Sequence, residues 1–470
     1  MTAIHDMTAT EMLAAYKSKK LSPVEAVDGV IARIEAWEPK LKALYAPDFG
    51  NARKSAKESE KRWAAGKPCG ALDGVPITVK ENIATKGVPM PVGTAANDLV
   101  PMAADAPAAA RVREAGAIIL AKTTMPDYGM LSSGRSSFHP LTRNPWNIER
   151  TPGGSSGGAG AAVASGMGPI AVGTDGGGSV RLPASFTGLV GLKATYGRIP
   201  AWPPGLNGDL ANTGPMTRTV LDCAMMMNVI ARPDPRDPTQ LPADDTDYVK
   251  KLGGKLKKPR IAFLLRMGDH PIDLEVAALV TRAARDFEKL GCAVETIDAP
   301  PFPFTDASRI FLAHWLSNAQ RLLQMYPESR HGEFDPNLLA YCQAGQKYSM
   351  QDVVAAHAQR RDMTVVWNQF FEKYDFLLTP MLAIQPFAVL KNLPDGPDGQ
   401  PNRRWSPYSS VFNLTRHPAL TVPCGISRER LPIGLQLVSG YFKDAALLRL
   451  AAAYTDAHPI AFPRLPENLK

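Results

Sequence analysis

Apolar residues recur along this chain in two rhythms that alternate with one another. Ser22-Pro23-Val24-Glu25 combines an N-cap serine, a first-turn proline and a glutamate three residues on, and the periodic run 26–44 behind it predicts a helix. Short apolar runs at 75–80, 117–122, 170–173, 261–265, 293–297, 375–380, 419–423 and 433–438 read as strands. Helical patterning fills 157–167, 273–290, 300–374 and 444–457, the first of these made almost wholly of Gly and Ala. The stretch 126–152 reads as a long ordered loop, and the Pro- and Asp-rich stretch 232–247 as a surface linker. Buried strands alternating with helices predict an α/β fold with a largely parallel sheet.

Composition changes this picture little. Of 470 residues 45% are hydrophobic and 21% charged, which excludes a disordered chain. The net charge of +8 is scattered, and the basic cluster between Lys250 and Arg260 reads as a solvated surface segment, so no nucleic-acid partner is expected. Cys69, Cys223, Cys292, Cys342 and Cys424 form no C-x-x-C pair and imply reduced thiols. The eight histidines show no metal-ligand spacing, and neither a metal nor a cofactor is expected. No signal-peptide pattern or bilayer-length apolar run is visible, so a cytoplasmic protein with no membrane partner is expected.

The candidate chemistry lies in two glycine-rich loops, Gly153-Gly154-Ser155-Ser156-Gly157-Gly158 and Asp175-Gly176-Gly177-Gly178-Ser179-Val180-Arg181. Glycine density of this kind marks sharp turns and close backbone approach. A serine among exposed N–H groups suits acyl transfer, with the amides holding the developing oxyanion. Gly153 to Gly157 also satisfies the G-x-S-x-G pattern, but no hydrophobic strand runs into it, and no Walker or dinucleotide-binding pattern is present. With no histidine nearby, the base falls to Lys80, which alternation puts on the face opposite Val75, Ile77 and Val79. Desolvation at a buried strand end would bring its pKa from about 10.4 toward 7–8, where a base is useful.

Together these stretches resemble the amidase signature family. The resemblance rests on 74–82, 142–147, 151–158, 173–183, 188–193, 195–198 and 431–437, in family order, and on the offset between Ser155 and Ser179. It covers about 5–225 and 375–457 and implies the amidase signature fold, a large mixed, mostly parallel β-sheet flanked by helices on both faces with a helical insertion over the active site. By that resemblance Ser179 is the nucleophile, Ser155, preceded by a cis peptide, is the bridging serine, and Lys80 is the base. The N–H groups of Gly176, Gly177, Gly178 and Ser179 then form the oxyanion hole. Ser156, Asp175 and Arg181 support the loops. Many members carry a side chain where Gly176 stands, so three consecutive glycines predict a looser loop here.

The chain reads as one domain, 1–470, with a catalytic core at 1–230 and a surface linker at 231–260. A helical insertion at 300–374 lines the pocket, and 375–470 returns to the core sheet. Gly129, Met130, Leu131 and Ser132 are expected to line the substrate site. Phe311, Trp315, Tyr341, Leu382, Ile384, Phe387 and Trp405 would roof it, and 392–403 would form a mobile lid. With few fixed charges in that set, the expected substrate is a small apolar or aryl amide, anilide or carbamate. The family also contains glutaminase subunits of tRNA-dependent amidotransferases, and a non-catalytic binding protein on the same fold is the third reading. The resemblance is also compatible with a homodimer.

Overall fold

Capping residues decide where the first long helix begins. In the computed structural model, which describes residues 3–396, 399–402 and 405–463, the Ser22 hydroxyl accepts from the Glu25 N–H and the Glu25 carboxylate from the Ser22 N–H. Pro23 follows as the first residue of α1 (Pro23–Leu41), whose buried Val27, Val30, Ile31, Ile34 and Trp37 make one apolar stripe. The helix stops at Leu41 rather than at 44 because Lys42 turns into the left-handed region, φ 52°, and feeds a short strand.

That strand, β1 (Leu44–Tyr45), is followed by β2 (Pro76–Lys80), β3 (Ile118–Thr123), β4 (Ile170–Asp175), β5 (Val190–Lys193) and β6 (Asn212–Thr217). Then come β7 (Arg260–Phe263), β8 (Ala293–Thr296), β9 (Phe376–Pro380), β10 (Ala419–Ile426) and β11 (Pro432–Ser439). They form one sheet in the order β1-β3-β2-β4-β6-β5-β10-β11-β9-β7-β8. β2 runs parallel to β3 and β4, and β7 parallel to β8 and β9. The remaining pairings among the described residues are antiparallel, including the whole centre from β4 to β9. The sheet is therefore mixed and not mostly parallel, contrary to the expectation from the pattern. Apolar runs report burial on both faces, which antiparallel strands under two helical layers share, and carry no information on direction.

Alternate residues of a strand face opposite sides, and β2, β6, β9 and β11 are buried at every position, so both faces of the sheet are covered. The cover includes α2 (Gly157–Ser165), α3 (Arg181–Thr187), α4 (Leu274–Lys289) and α8 (Asp444–Ala457). Between α4 and α8 in the chain, α5 (Phe304–Gln320), α6 (Pro336–Gly345) and α7 (Met350–Lys373) pack on one another as a helical group. The stretch 231–260 is more firmly tied than a linker. Asp234 and Asp237 are buried, the Asp237 carboxylate accepts from the Ala201 N–H, and a helix, Tyr248–Leu252, buries Tyr248. Among the described residues no helix is long and apolar enough to cross a membrane, and no His, Cys, Asp or Glu group could hold a metal ion.

Every residue of α2 is buried, and its small side chains let it approach the chain closely. A Cβ on Gly158 would lie 2.5 Å from the Ala43 carbonyl oxygen and 2.6 Å from the Thr124 nitrogen, backbone atoms that cannot swing away. Gly158→Ala is therefore expected to cost about 1–3 kcal/mol of stability through overpacking. A urea unfolding midpoint equal to that of the parent would refute the close approach.

Candidate active site

Lys80 is the last residue of β2 and is fully buried. The parallel pairing of β2 with β4 brings Thr174 beside it, and Lys80 Nζ donates to Thr174 Oγ1 at 2.9 Å and to Ser155 Oγ at 2.8 Å. Asn82 Nδ2 donates to the same threonine oxygen at 3.1 Å, which fixes the acceptor. Burial drives the Lys80 pKa down to about 7, against the opposing pull of the Asp175 and Glu81 carboxylates. Ser155 follows a cis Gly154–Ser155 peptide, on a turn where Gly153 takes φ +80°. A Cβ on Gly154 would lie 2.7 Å from the Ser133 carbonyl oxygen, so the turn presses against 132–133.

The second loop leaves β4 at Asp175 and enters α3 at Arg181. Asp175 Oδ1 accepts from the Gly178 N–H at 2.7 Å, and Oδ2 accepts from the Val180 N–H at 3.2 Å. Arg181 closes the ring: Nε donates to Asp175 Oδ2 and Nη2 to Oδ1, both at 2.9 Å. Its remaining hydrogens go to the Gln436 side chain at 2.7 Å, the Asn413 side chain at 2.7 Å and the Ser409 carbonyl at 3.1 Å. All five guanidinium donors are thus used, with both partners of the ion pair fully buried. Burial alone would raise the Asp175 carboxyl, but Arg181 and Asn413 hold it well below the usual carboxylate range. Ser179, 7% exposed, sits on this frame, its carbonyl accepting from the Ser156 N–H at 3.1 Å. Ser156 Oγ donates in turn to the Thr174 carbonyl at 3.1 Å.

The structure thus joins Lys80 to Ser155 directly and ties the two loops through Ser156. No hydrogen bond links the Ser155 and Ser179 hydroxyls among the described residues. One predicted oxyanion donor changes role: the Gly178 N–H is taken up by Asp175, which leaves those of Gly176, Gly177 and Ser179. The loop is also not loose. A Cβ on Gly176 would lie 3.2 Å from Asn207 Nδ2 and 3.4 Å from Trp315, and one on Gly177 2.9 Å from Phe311. Phe311 and Trp315, one turn apart on α5, stack with centroids 5.1 Å apart over these glycines. Side chains from elsewhere fill the space that the triple glycine opens.

Ser155, Thr174, Gly176 and Asn82 line a cavity of about 330 Å³ together with Gly129, where a Cβ would stand 3.0 Å from Ser155 Oγ. Met130 and Leu131 are buried, Ser132 backs the Gly154 turn, and none of the three lines the cavity. Of the expected roof, Leu382, Phe387 and Trp405 instead join Leu182 and Phe186 in a buried cluster, with Ile384 packed against it. Tyr341 is partly buried against the main core. The cavity wall comes instead from 200–207, where Trp202 precedes a cis proline, and from Met325. Within the expected lid, 397, 398 and 403 lie outside the described residues, while the Gly396 N–H donates to the Gln400 carbonyl at 2.6 Å. Thr174, Asn82, Ser409, Asn413 and Gln436 were not singled out from sequence. Three of them stand within stretches that carry the resemblance, Asn82 two residues past Lys80, Thr174 just before Asp175 and Gln436 in 431–437.

Residues 25–448 match the Amidase family. The chain is 34% identical over 477 residues to an acylamidase of Rhodococcus erythropolis, covering 99% of this chain and 98% of that protein. It is also 34% identical over 483 residues to a glutamyl-tRNA(Gln) amidotransferase subunit of Myxococcus xanthus, covering 96% and 97%. Among solved structures it superposes on a bacterial aryl acylamidase of the amidase signature enzymes with TM-score 0.89 and 30% identity, over 97% of each chain.

Removing Arg181 would strand the buried Asp175 carboxylate and free the glycine loop. Arg181→Met is expected to cost about 3–5 kcal/mol, read as a lowered denaturation midpoint. An unchanged midpoint would show that the ion pair does not hold the loop.

Proposed function

The chain belongs to the amidase signature family, and on that premise we propose that it hydrolyses a small apolar or aryl amide, anilide or carbamate through an acyl intermediate on Ser179. The observation that carries the reading is the buried Lys80–Ser155 hydrogen bond, made by a lysine whose neutral form burial favours. Ser179 Oγ attacks the carbonyl carbon while its proton passes to Ser155 Oγ and the Ser155 proton passes to Lys80 Nζ. The oxyanion is met by the N–H groups of Gly176, Gly177 and Ser179, each such donor contributing about 3–4 kcal/mol in comparable acyl transfers. The relay then runs backwards and protonates the nitrogen as the C–N bond breaks, since an amide anion is a poor leaving group. Water attacks the Ser179 ester by the same route and releases the acid. A hydroxyl suits the middle position because it donates and accepts at once. Ser156 holds the two loops in register, and Asp175 with Arg181 sets the loop conformation. The apolar wall of Ile83, Met90, Val92 and Leu206, the acylamidase relative and the aryl acylamidase neighbour support the substrate class. No cofactor enters this route, and we place the enzyme in the cytoplasm.

The amidotransferase relative keeps a second reading open: a glutaminase component whose activity depends on partner proteins. Glutamine hydrolysis that arises only on mixing with such partners, with no hydrolysis of free anilides, would establish it.

Ser179→Ala is expected to abolish anilide hydrolysis and labelling by a fluorophosphonate probe while leaving the unfolding midpoint near that of the parent. Turnover in this variant, or labelling at another serine, would sink the nucleophile assignment. For Lys80 the base must be neutral, so kcat/KM should fall about tenfold per pH unit below about 7 and level off above it. A flat profile from pH 5 to 9 on a neutral amide would exclude Lys80 as the group that titrates.

A further inference from the structure

The cavity beside Ser155 runs from a closed end to an open one. Ser155 is 2% exposed, whereas Met325, also in the lining, is 56% exposed. Arg321 lines the same cavity one helical turn before Met325, at the point where α5 ends, and is itself exposed. Among the described residues it is the one with a formal charge in that lining. Neighbouring arginines have partners: Arg309 meets Asp306 and Gln359, and Arg330 meets Asp98 and Glu333. Among the described residues the Arg321 side chain takes no ion pair or hydrogen bond. An uncommitted guanidinium at the open end of an otherwise uncharged cleft offers two parallel N–H bonds to a planar anion.

We propose that Arg321 is a specificity-determining residue that selects amides carrying a carboxylate at the end remote from the scissile bond. This inference rests on the amide-hydrolase reading above and adds the substrate's charge. The favoured substrate then has its reacting carbonyl at the Ser179 loop, an apolar middle against Ile83, Met90, Val92 and Leu206, and an anionic tail at Arg321. Lysine would hold the charge but not the planar fork, so it should replace arginine only in part.

The test compares hexananilide with two carboxylated counterparts, adipic acid monoanilide and N-(4-carboxyphenyl)hexanamide, which put the anion on the acyl or the amine side. With the parent enzyme, one carboxylated amide should exceed hexananilide about tenfold in kcat/KM, the scale of one charge-assisted bond at a partly solvated site. Arg321→Gln should remove that advantage through KM, leaving kcat and all hexananilide kinetics within about twofold, and Arg321→Lys should restore part of it. Equal use of neutral and carboxylated amides by the parent would overturn the proposal. So would a parallel loss on hexananilide, which marks a structural role, or a preference that survives in the Gln variant.

Binding of 4-phenylbutyrate against 4-phenylbutyramide, measured by calorimetry, separates this inference from the hydrolase reading. If no amide is turned over but the anion binds about tenfold more weakly to Arg321→Gln, the anion site stands and the reaction falls. Identical anion binding by parent and variant overturns the site whatever the activity.

Discussion

The Asp175–Arg181 pair is the contact on which the glycine-rich loop 175–181 depends. Burying a carboxylate and a guanidinium is costly, and the cost is offset only when every remaining donor and acceptor finds a partner. Here the partners come from three separate stretches: the loop's own N–H groups, Ser409 with Asn413, and Gln436 on β11. Each partner is held in turn, Asn413 donating to both the Asp175 carbonyl and its carboxylate, and Gln436 donating to Thr379 and the Tyr408 carbonyl. The glycines between Asp175 and Ser179 thus gain from their surroundings the rigidity that their own backbone lacks. Ser409 adds a bond to the Gly177 carbonyl at 2.7 Å, and the Phe311 ring packs close to that glycine.

Desolvation by itself does not set Lys80 apart. Lys80, Lys122 and Lys193 are all buried, and burial brings each of them down to about 7. What differs is the company of the nitrogen. Lys122 donates to the Ile83 carbonyl and to Thr85, and Lys193 donates to the Ala194 carbonyl at 3.1 Å. A carbonyl can accept a hydrogen bond but has no proton to give, and the buried Thr85 hydroxyl beside Lys122 already donates its own proton to the Ile83 carbonyl. Lys80 alone of the three faces the hydroxyl of Ser155, which can surrender a proton and take another. A shifted pKa becomes chemistry only where geometry supplies an exchangeable proton.

The cavity beside Ser155 is assembled differently from the two glycine-rich loops. Beyond Ser155, Thr174 and Gly176, its walls come from segments far apart in the chain, 82–92, 106–108, 128–129, 200–213 and 321–325. The 200–207 turn is pinned from outside by the Asp237 carboxylate and by Arg236 stacking on the Trp202 ring at 4.8 Å. The acidic stretch that reads as a linker therefore shapes the pocket from behind.

The local placement of these residues was legible in the sequence. Lys80 on the polar face of a buried strand, the capped start of α1 and the two glycine-flanked serines are consequences of period, capping and backbone freedom, which act over a few residues. What surrounds them was decided by tertiary structure. Strand direction, the capture of the Gly178 N–H by Asp175, the filling of the Gly176 space by Asn207 and Trp315, and the diversion of Leu382, Phe387 and Trp405 into the core all depend on how the chain packs around these segments. An apolar pattern records that a side chain is buried and not what it is buried against. For that reason the sequence by itself determined which residues could carry a reaction, and only the packing of distant segments decided which N–H groups stay free and what the pocket is made of.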